Sequence, residues 1–245
     1  MNLIVDIGNT RAKAVVMSGV DVVASYVSDS ATESWLRNIV AEHKDICRAV
    51  VSSTRGDAEG VCELLRSMVS YVLHFVPAST PIPLGNGYAT PQTLGADRLA
   101  AAVGAAQMYG SEALLIVDFG TAITIDRVER GVFLGGNISP GLSLRFRALS
   151  DYTACLPLCS ATDSVLEYGR TTHEAIEQGV MRGVEHEIRG YIDDFSKKNA
   201  KKCIIFTGGD AKYFAMRIKN AIFADCEPVI FGLHTILNYN ADRQE

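Results

Sequence analysis

Apolar and polar positions at the start of the chain predict a β-hairpin followed by a third strand. Residues 3–5 and 14–17 are short, continuous apolar runs of the kind that form buried strands. The residues between them, 6–11, are rich in turn formers and predict a tight turn. A further apolar stretch at 20–27 predicts another strand. We therefore expect the chain to open with three strands.

The next part of the chain alternates helical and strand patterns. Apolar residues recur at helical spacing over residues 35–40 and again over 61–68, which predicts two amphipathic helices. Between them, residues 49–53 form an apolar run that ends in two serines, and this predicts a strand. Because strands and helices alternate, the pattern predicts an α/β fold.

A segment rich in proline and glycine, residues 77–91, interrupts this alternation. It predicts a long loop, and loops of this length in compact domains are usually functional or disordered. The loop leads into residues 98–106, an alanine-rich stretch that predicts a helix. Small side chains suit close packing against another helix, which we predict to lie in a second subunit.

The second half of the chain repeats the opening pattern. Residues 115–120 have the same order of apolar strand, carboxylate and glycine as residues 3–8, and the two segments align without a gap. A second strand follows in both halves, here at 123–125. The repeat predicts an internal duplication into two similar lobes, residues 1–110 and 111–245.

The remaining patterns complete the second lobe. Apolar residues lie on one stripe from Ile176 to Ile192, which predicts a long amphipathic helix over 174–195. Residues 203–207 predict a strand that runs into a Gly-Gly turn, followed by a helix from about Ala211.

Composition narrows the class of protein. The chain has 245 residues, of which 48% are hydrophobic and 21% charged, so it matches an average globular protein rather than a disordered or fibrous one. No apolar run approaches the ~20 residues of a membrane-spanning helix, and the first residues lack the features of a secretory signal. The net charge of -5 disfavours a nucleic-acid partner. We therefore expect a cytoplasmic protein without membrane or nucleic-acid contacts.

The cysteines do not form the pattern of a metal site. The close pair consists of Cys155 and Cys159, and a structural zinc site needs four ligands, usually from two such pairs. We expect reduced, mostly buried thiols.

Three predicted strands each end in glycine together with a carboxylate or a hydroxyl. These strand ends are Asp6 with Gly8 and Thr10, Asp118 with Gly120 and Thr121, and residues 207–210. Glycine lets backbone N–H groups approach phosphate oxygens, hydroxyls add donors, and carboxylates hold the cation that neutralises nucleotide charge. One copy alone is explained equally well as a hairpin turn. Two copies at matching places favour nucleotide binding.

Other nucleotide-binding motifs are absent from the sequence. It contains neither the G-x-x-x-x-G-K-[ST] motif of P-loop proteins nor the G-x-G-x-x-G motif of dinucleotide-binding folds. The protein-kinase motifs and a G-x-S-x-G nucleophile elbow are missing as well. Any phosphate chemistry must therefore use a different architecture.

A second polar cluster precedes the alanine-rich helix. Asp97 follows Gly95 near the predicted helix start, where an aspartate commonly acts as a cap or a dipole partner. Alternatively, Asp97 accepts a proton from an attacking hydroxyl and Arg98 binds an anionic group, since neighbouring helical residues project about 100° apart. The spacing alone supports both interpretations.

In combination, these motifs resemble those of the type III pantothenate kinases, members of the actin/sugar-kinase/Hsp70 superfamily. The resemblance covers nearly the full chain and rests on D-x-G-N-T-x-x-K at 6–13, Tyr88, L-G-A-D-R at 94–98, D-F-G-T-A-I-T at 118–124, G-G-N-I-S-P-G at 135–141, Thr172 and T-G-G at 207–209. It implies two actin-like (ribonuclease H-like) lobes from an internal duplication, each with a mixed sheet flanked by helices.

The resemblance also implies a reaction, the ATP-dependent phosphorylation of pantothenate to 4'-phosphopantothenate, which is the first step of coenzyme A biosynthesis. Asp97 would be the general base, Arg98 would face the pantothenate carboxylate, Asp6 would bind Mg²⁺, and Asp118 would bind the monovalent cation, K⁺ or NH₄⁺. The implied ATP-binding residues are Asp6, Ile7, Gly8, Asn9, Thr10, Arg11, Ala12, Lys13 and Thr121. The implied pantothenate-binding residues are Tyr88, Gly95, Ala96, Asp97, Arg98 and Thr172.

Members of this family are homodimers, so the resemblance also implies a second copy of the chain, which completes the substrate site. We expect the alanine-rich helix and the stripe from Ile176 to form that contact. Where family members often have Ser-Ser-Val, this chain has Ser52, Ser53, Thr54 and Arg55, and the role of this loop stays open.

Two alternative functions are compatible with the same fold: a non-catalytic regulatory relative and a kinase for another small hydroxylated substrate. The presence of Asp97 disfavours the first, because a binding module has no use for a base. A filament-forming role is disfavoured by the small size of the lobes.

Overall fold

The computed structural model describes residues 1–56, 58–110, 112–219, 221–224 and 227–243. Its strands are β1 (Asn2–Ile7), β2 (Ala12–Ser18), β3 (Asp21–Ser28), β4 (Arg48–Ser53), β5 (Tyr71–His74), β6 (Gly85–Asn86), β7 (Ala113–Phe119), β8 (Ala122–Glu129), β9 (Val132–Pro140), β10 (Lys202–Thr207) and β11 (Ile222–Phe223). Its helices are α1 (Glu33–Glu42), α2 (Glu59–Arg66), α3 (Ala96–Tyr109), α4 (Leu142–Asp151), α5 (Thr172–Lys198), α6 (Ala211–Ala215) and α7 (Pro228–Ala241).

The chain divides into two compact units. Unit 1 comprises Met1–Gly110, Gly131–Leu134 and Cys226–Glu245, and unit 2 comprises Ser111–Arg130 and Gly135–Asp225. These units differ from the lobes predicted from sequence in two segments, the start of β9 and the C-terminal segment that holds α7. Both segments belong to unit 1 because α7 packs on α3 and because the start of β9 pairs with β6.

The sheet of unit 1 has the strand order β3-β2-β1-β4-β5. β1 runs antiparallel to β2 and parallel to β4, and β4 runs parallel to β5. The apolar side chains of β1 and β4 pack against Leu36 and Ile39 of α1 and Cys62 and Leu65 of α2. This mixed sheet confirms the three opening strands and the strand–helix alternation that follows them.

In the six-stranded sheet β11-β10-β7-β8-β9-β6, the five strands from β11 to β9 follow the same plan as the sheet of unit 1. β7 runs antiparallel to β8 and parallel to β10, which in turn is parallel to β11. Each of these five strands therefore has a counterpart at the same place in the sheet of unit 1. The common topology confirms the duplication that the repeated strand, carboxylate and glycine predicted.

Two expectations about exposed helix surfaces are wrong. The alanine-rich helix α3 packs against α7 of the same chain rather than against a second subunit, because Gly104 and Gly232 allow the two backbones to approach closely. The stripe from Ile176 is also occupied, since Ile176, Val184 and Ile188 lie in the hydrophobic core of unit 2.

Several elements lie outside the sequence predictions. β5, β9, α4 and α7 had no predicted counterpart, and the predicted loop over 77–91 contains the two-residue strand β6 and reaches a short 3₁₀ helix at Pro91–Thr93. α7 is apolar on most of its circumference because it is largely buried in unit 1, so it lacks a polar face that would mark it as a surface helix. No helix in the described part of the chain combines the length and apolar character needed to cross a membrane.

Candidate functional site

The turn between β1 and β2 is exposed to solvent. The last paired residues of the hairpin are Ile7 and Ala12. The N–H of Gly8 donates to the carbonyl oxygen of Arg11 at 2.9 Å, which closes a turn that we call the first phosphate turn, residues 8–11. Asn9 and Arg11 are exposed. The turn therefore presents amide, hydroxyl and guanidinium donors to solvent, as an anion-binding turn requires.

A carboxylate and a hydroxyl lie side by side at the end of β1. Asp6 is the parallel-sheet partner of Ser52 on β4, so the two side chains share one face of the sheet. Asp6 Oδ1 is buried. Ser52 is fully buried, and its Oγ has no hydrogen-bond partner among the residues that the structure describes. Because an unsatisfied buried hydroxyl costs roughly 1–3 kcal/mol, Ser52 fits a site in which this hydroxyl gains a partner when a ligand binds.

Lys13, predicted to bind ATP phosphates, is already engaged in an ion pair. Its ammonium contacts the Glu227 carboxylate at the start of α7, within unit 1. The lysine side chain is 28% exposed and the glutamate 52%, so solvent screens part of their attraction. Glu227 lies 214 residues from Lys13 in sequence, and no local pattern indicates the pair.

The loop after β4, whose role the sequence left open, contacts the first phosphate turn directly. The N–H and Oγ1 of Thr54 donate to the carbonyl oxygen of Ile7 at 2.9 and 3.3 Å. The guanidinium of Arg55 donates to the carbonyl oxygen of Asn9. The loop therefore holds the end of β1 through Thr54 and the turn itself through Arg55.

Asp97 lies in the first turn of α3, directly over Gly95. Its Oδ1 accepts a hydrogen bond from the N–H of Arg98 at 2.9 Å. A Cβ placed on Gly95 would lie only 2.5 Å from the same oxygen, so glycine leaves the space that this side chain occupies. Oδ2 makes no hydrogen bond within the described ranges. One carboxylate oxygen is thus fixed and the other remains able to accept a proton.

Arg98 and Tyr88, both predicted from sequence to bind substrate, lie close together in unit 1. Arg98 is buried, with 6% of its surface exposed, and its guanidinium carbon lies 5.7 Å from the centre of the Tyr88 ring, a cation–π distance. The Tyr88 ring in turn packs at 6.2 Å on Phe133. A largely desolvated cation beneath an aromatic ring suits the recognition of a small anion.

In unit 2, Asp118 ends β7 as Asp6 ends β1, but its surroundings differ. Its parallel partner on β10 is Thr207. A Cβ on the next residue, Gly208, would lie 2.3 Å from Asp118 Oδ1, and Gly208 adopts a φ of +94°. Both the space and the backbone conformation therefore require glycine beside this carboxylate.

Thr121 follows Asp118 on a turn that Gly141 supports. The N–H of Gly120 donates to the carbonyl oxygen of Ala122 at 3.2 Å, and that of Gly141 donates to the carbonyl oxygen of Thr121 at 3.0 Å. A Cβ on Gly141 would lie 2.2 Å from the Gly120 oxygen, so the two segments approach too closely for a side chain. Thr121 itself is exposed.

Thr172 is the first residue of α5. The preceding Thr171 caps the helix, since its Oγ1 accepts from the N–H of Glu174 at 3.2 Å, and Glu174 Oε2 accepts from the N–H of Thr171 at 3.0 Å. Thr172 is exposed and, together with residues of α4 such as Arg145, lines an apolar groove of about 930 Å³ that lies entirely within unit 2. The capping box fixes the position of Thr172 in the lining of this groove.

The predicted residues thus fall into two sets. Unit 1 holds the segment 6–13, Tyr88 and the segment 95–98, and unit 2 holds Asp118, Thr121 and Thr172. Arg55, Ser52 and Glu227 were not among the predicted residues. For Arg55, the departure from Ser-Ser-Val was the one available signal.

Comparisons with known proteins give the family of this chain. A family model described as type III pantothenate kinase matches residues 2–194. The type III pantothenate kinase of Porphyromonas gingivalis is 42% identical over 245 residues and covers 98% of both chains. That of Bacteroides fragilis is 40% identical over 245 residues and covers 99% of this chain and 100% of the relative.

Solved structures support the fold. A protein of Campylobacter jejuni assigned to the Baf family of transcriptional activators has a TM-score of 0.66 at 22% identity, covering 98% of this chain and 99% of that one. The activator of 2-hydroxyisocaproyl-CoA dehydratase from Clostridium difficile, with bound ADPNP, has a TM-score of 0.54 at 14% identity, covering 99% and 97%. These likenesses confirm the predicted α/β fold of two actin-like lobes. The sequence matches go further: the chain belongs to the type III pantothenate kinase family.

Proposed function

We propose that this chain transfers the γ-phosphoryl group of ATP to the primary hydroxyl of pantothenate, yielding 4'-phosphopantothenate for coenzyme A synthesis. Family membership supports the reaction, since this chain matches two type III pantothenate kinases over nearly their whole length. The structural observation that carries the proposal is the cluster of Asp97, Arg98 and Tyr88 in unit 1. A carboxylate with one unengaged oxygen there lies beside a desolvated cation.

Asp97 acts as the general base. Phosphoryl transfer leaves a protein mainly positioning and charge stabilisation to supply, and a base that accepts the hydroxyl proton contributes about 10²–10⁴-fold. The Arg98 N–H fixes Oδ1, and Oδ2 takes the proton as the pantothenate oxygen attacks phosphorus.

Arg98 binds the pantothenate carboxylate, and Tyr88, Gly95, Ala96 and Thr172 complete the substrate contacts. Because Arg98 is buried, its attraction to a carboxylate is weakly screened. The Tyr88 ring limits the directions from which an anion can approach the guanidinium.

Residues 6–13 and Thr121 hold the ATP phosphates, with Asp6 as the Mg²⁺ ligand and Asp118 as the ligand of K⁺ or NH₄⁺. No group of three or more His, Cys, Asp or Glu side chains suited to a metal occurs in the described ranges. Mg²⁺ is commonly bound through one or two carboxylates together with substrate phosphates and water. When bound, these cations neutralise phosphate charge. The chain's own contribution is the buried Asp6 Oδ1 beside Ser52.

The protein acts in the cytoplasm as a homodimer, and the groove between α4 and α5 is the surface that a second copy covers. The helix surfaces predicted from sequence to form this contact, α3 and the stripe from Ile176, are buried within the chain. The groove, in contrast, is an apolar surface that includes Tyr152, which is 88% exposed. Thr172 lines the same groove. A second copy seated there would complete the surroundings of a substrate residue.

A coupled assay of ADP release with pantothenate, in potassium and in sodium buffer, tests the proposal. We expect pantothenate-dependent turnover that is faster in potassium. Asp97→Asn should lower kcat by about 10²–10⁴-fold while the far-UV circular dichroism spectrum stays unchanged. Near-normal kcat in Asp97→Asn would remove the residue from its role. Turnover of other hydroxylated acids or sugars without pantothenate turnover would contradict the assigned substrate.

A further inference from the structure

The loop after β4 brings a guanidinium to the first phosphate turn, although it is remote in sequence. Arg55 donates through its guanidinium to the carbonyl oxygen of Asn9, 46 residues earlier. Its own N–H donates to Ser53 Oγ at 3.1 Å. The preceding Thr54 binds the Ile7 carbonyl through both its N–H and its hydroxyl. The guanidinium is therefore anchored at the turn and does not extend freely into solvent.

The charge of Arg55 has no compensating carboxylate within the described ranges of the chain. Among the residues that the structure describes, no acidic side chain forms an ion pair with Arg55, whereas Lys13 on the neighbouring strand is paired with Glu227. A guanidinium has five N–H donors, and the bond to Asn9 uses one of them. Arg55 is exposed, so its remaining donors are accessible to a ligand.

We propose that Arg55 binds the terminal phosphates of the nucleotide at the first phosphate turn and is a determinant of preference for triphosphate over monophosphate. The inference rests on the proposed function in taking a nucleotide as the ligand of this turn. Arginine suits the task because its planar fork binds two phosphate oxygens at once. Since the Asn9 carbonyl already holds the guanidinium, less side-chain freedom is lost when phosphate binds.

The other role open to Arg55 is mechanical: it would only brace the turn through Asn9. Two substitutions separate these roles. Arg55→Gln retains an N–H donor of shorter reach but loses the charge, and Arg55→Lys retains the charge but loses the planar fork. Arg37→Gln is the matched control, because Arg37 is an exposed arginine of unit 1 that pairs with Glu33 on α1.

Isothermal titration of ATP, ADP and AMP with Mg²⁺, without pantothenate, is the decisive measurement. We expect Arg55→Gln to weaken ATP binding roughly ten-fold or more, the loss typical of one hydrogen bond to a charged group, and to change AMP binding little. Arg55→Lys should retain most of the ATP affinity, and Arg37→Gln should bind all three nucleotides as the wild type does.

The outcomes distinguish this inference from the proposed function. Wild-type ATP affinity in Arg55→Gln, or an equal loss for ATP and AMP, overturns the phosphate-binding role and leaves pantothenate phosphorylation intact. If Arg55→Gln weakens ATP binding as expected but the wild-type protein does not phosphorylate pantothenate, only the proposed function is contradicted. A wild-type protein that binds none of the nucleotides overturns both.

Discussion

Replacing Gly104 by alanine should destabilise unit 1 although alanine is the better helix former. Gly104 lies on α3 where this helix meets α7. A Cβ added there would lie 2.0 Å from the carbonyl oxygen of Pro228 and 2.8 Å from the N of Gly232. The corresponding change on α7, Gly232→Ala, would place a Cβ 1.8 Å from the carbonyl oxygen of Ala100. The two helices thus contact each other backbone to backbone at both glycines.

The size of the effect follows from these distances. A close carbon–oxygen contact is about 3.3 Å, so the helices must separate by more than about 1 Å. A gap of that size forfeits a quarter to a half of each dispersion contact across it. Ordinary overpacking costs about 1–3 kcal/mol, and we expect about 3–5 kcal/mol here because a backbone carbonyl cannot rotate away. The higher helix propensity of alanine offsets about 1 kcal/mol of this cost. The net loss for Gly104→Ala is therefore about 2–4 kcal/mol.

Urea unfolding followed by the fluorescence of Trp35 measures this loss. Trp35 is the only tryptophan of the chain and packs against the core of unit 1, so its signal reports on that unit. Gly60→Ala is the matched control, since Gly60 lies on α2 of the same unit and an added Cβ meets no atom within 4 Å. It should raise the free energy of unfolding by up to about 1 kcal/mol. Equal or greater stability of Gly104→Ala than Gly60→Ala would refute the close helix approach.

Three further predictions concern the substrate cluster, a helix cap and a buried thiol. Gly95→Ala should lower kcat with little loss of stability, because the new Cβ displaces the flexible Asp97 carboxylate, and unchanged kcat would contradict that positioning. Two backbone N–H groups at the start of α5 lower the pKa of Glu174. The ionised Glu174 therefore stabilises the fold above its ordinary pKa of 4.5, and this stabilisation is lost as pH falls through the lowered pKa. The difference in unfolding free energy between wild type and Glu174→Gln, measured by urea unfolding, should shrink in acid and persist at neutral pH. Burial raises the pKa of the Cys62 thiol to about 11, so a thiol reagent at neutral pH should label exposed Cys155 in the native protein and Cys62 only after unfolding; rapid native labelling of Cys62 would show that the core of unit 1 opens easily.

The duplicated core was predictable because its signals are local. A carboxylate and a glycine directly after an apolar strand are visible within six residues, and the repetition of this order in residues 3–8 and 115–120 fixed the two-lobe plan. The structure places both segments on strands at equivalent positions of their sheets. The amphipathic helix α5 was predictable for the same reason, since its periodicity and its capping residues are contained in its own sequence.

The contacts that were missed join residues distant in sequence. Glu227 reaches Lys13 because α7 returns to unit 1, and nothing near either residue indicates the pairing. The partner of α3 was misassigned for the same reason: small side chains predict a close helix neighbour but do not specify which helix. Arg55 lies on a loop without periodicity, so only its position in the fold gives its charge a function.

The two lobes differ in the surroundings of their equivalent carboxylates, Asp6 and Asp118, and this difference bears on the roles proposed for the two residues. Asp6 shares a sheet face with the buried, unsatisfied hydroxyl of Ser52, and its hairpin turn is stabilised by a separate loop. Asp118 instead lies against Gly208, where a left-handed glycine leaves no side chain beside the carboxylate. A hydroxyl and a carboxylate together offer oxygen ligands to a small divalent cation, whereas the Asp118 carboxylate, proposed to bind the monovalent ion, keeps its position because Gly208 has no Cβ to displace its Oδ1. If so, Gly208→Ala should weaken the binding of potassium, measured as the potassium concentration that half-protects the protein from thermal unfolding, and should leave Mg²⁺-dependent ATP binding unchanged. Equal losses of both would show that the two carboxylates serve one common site.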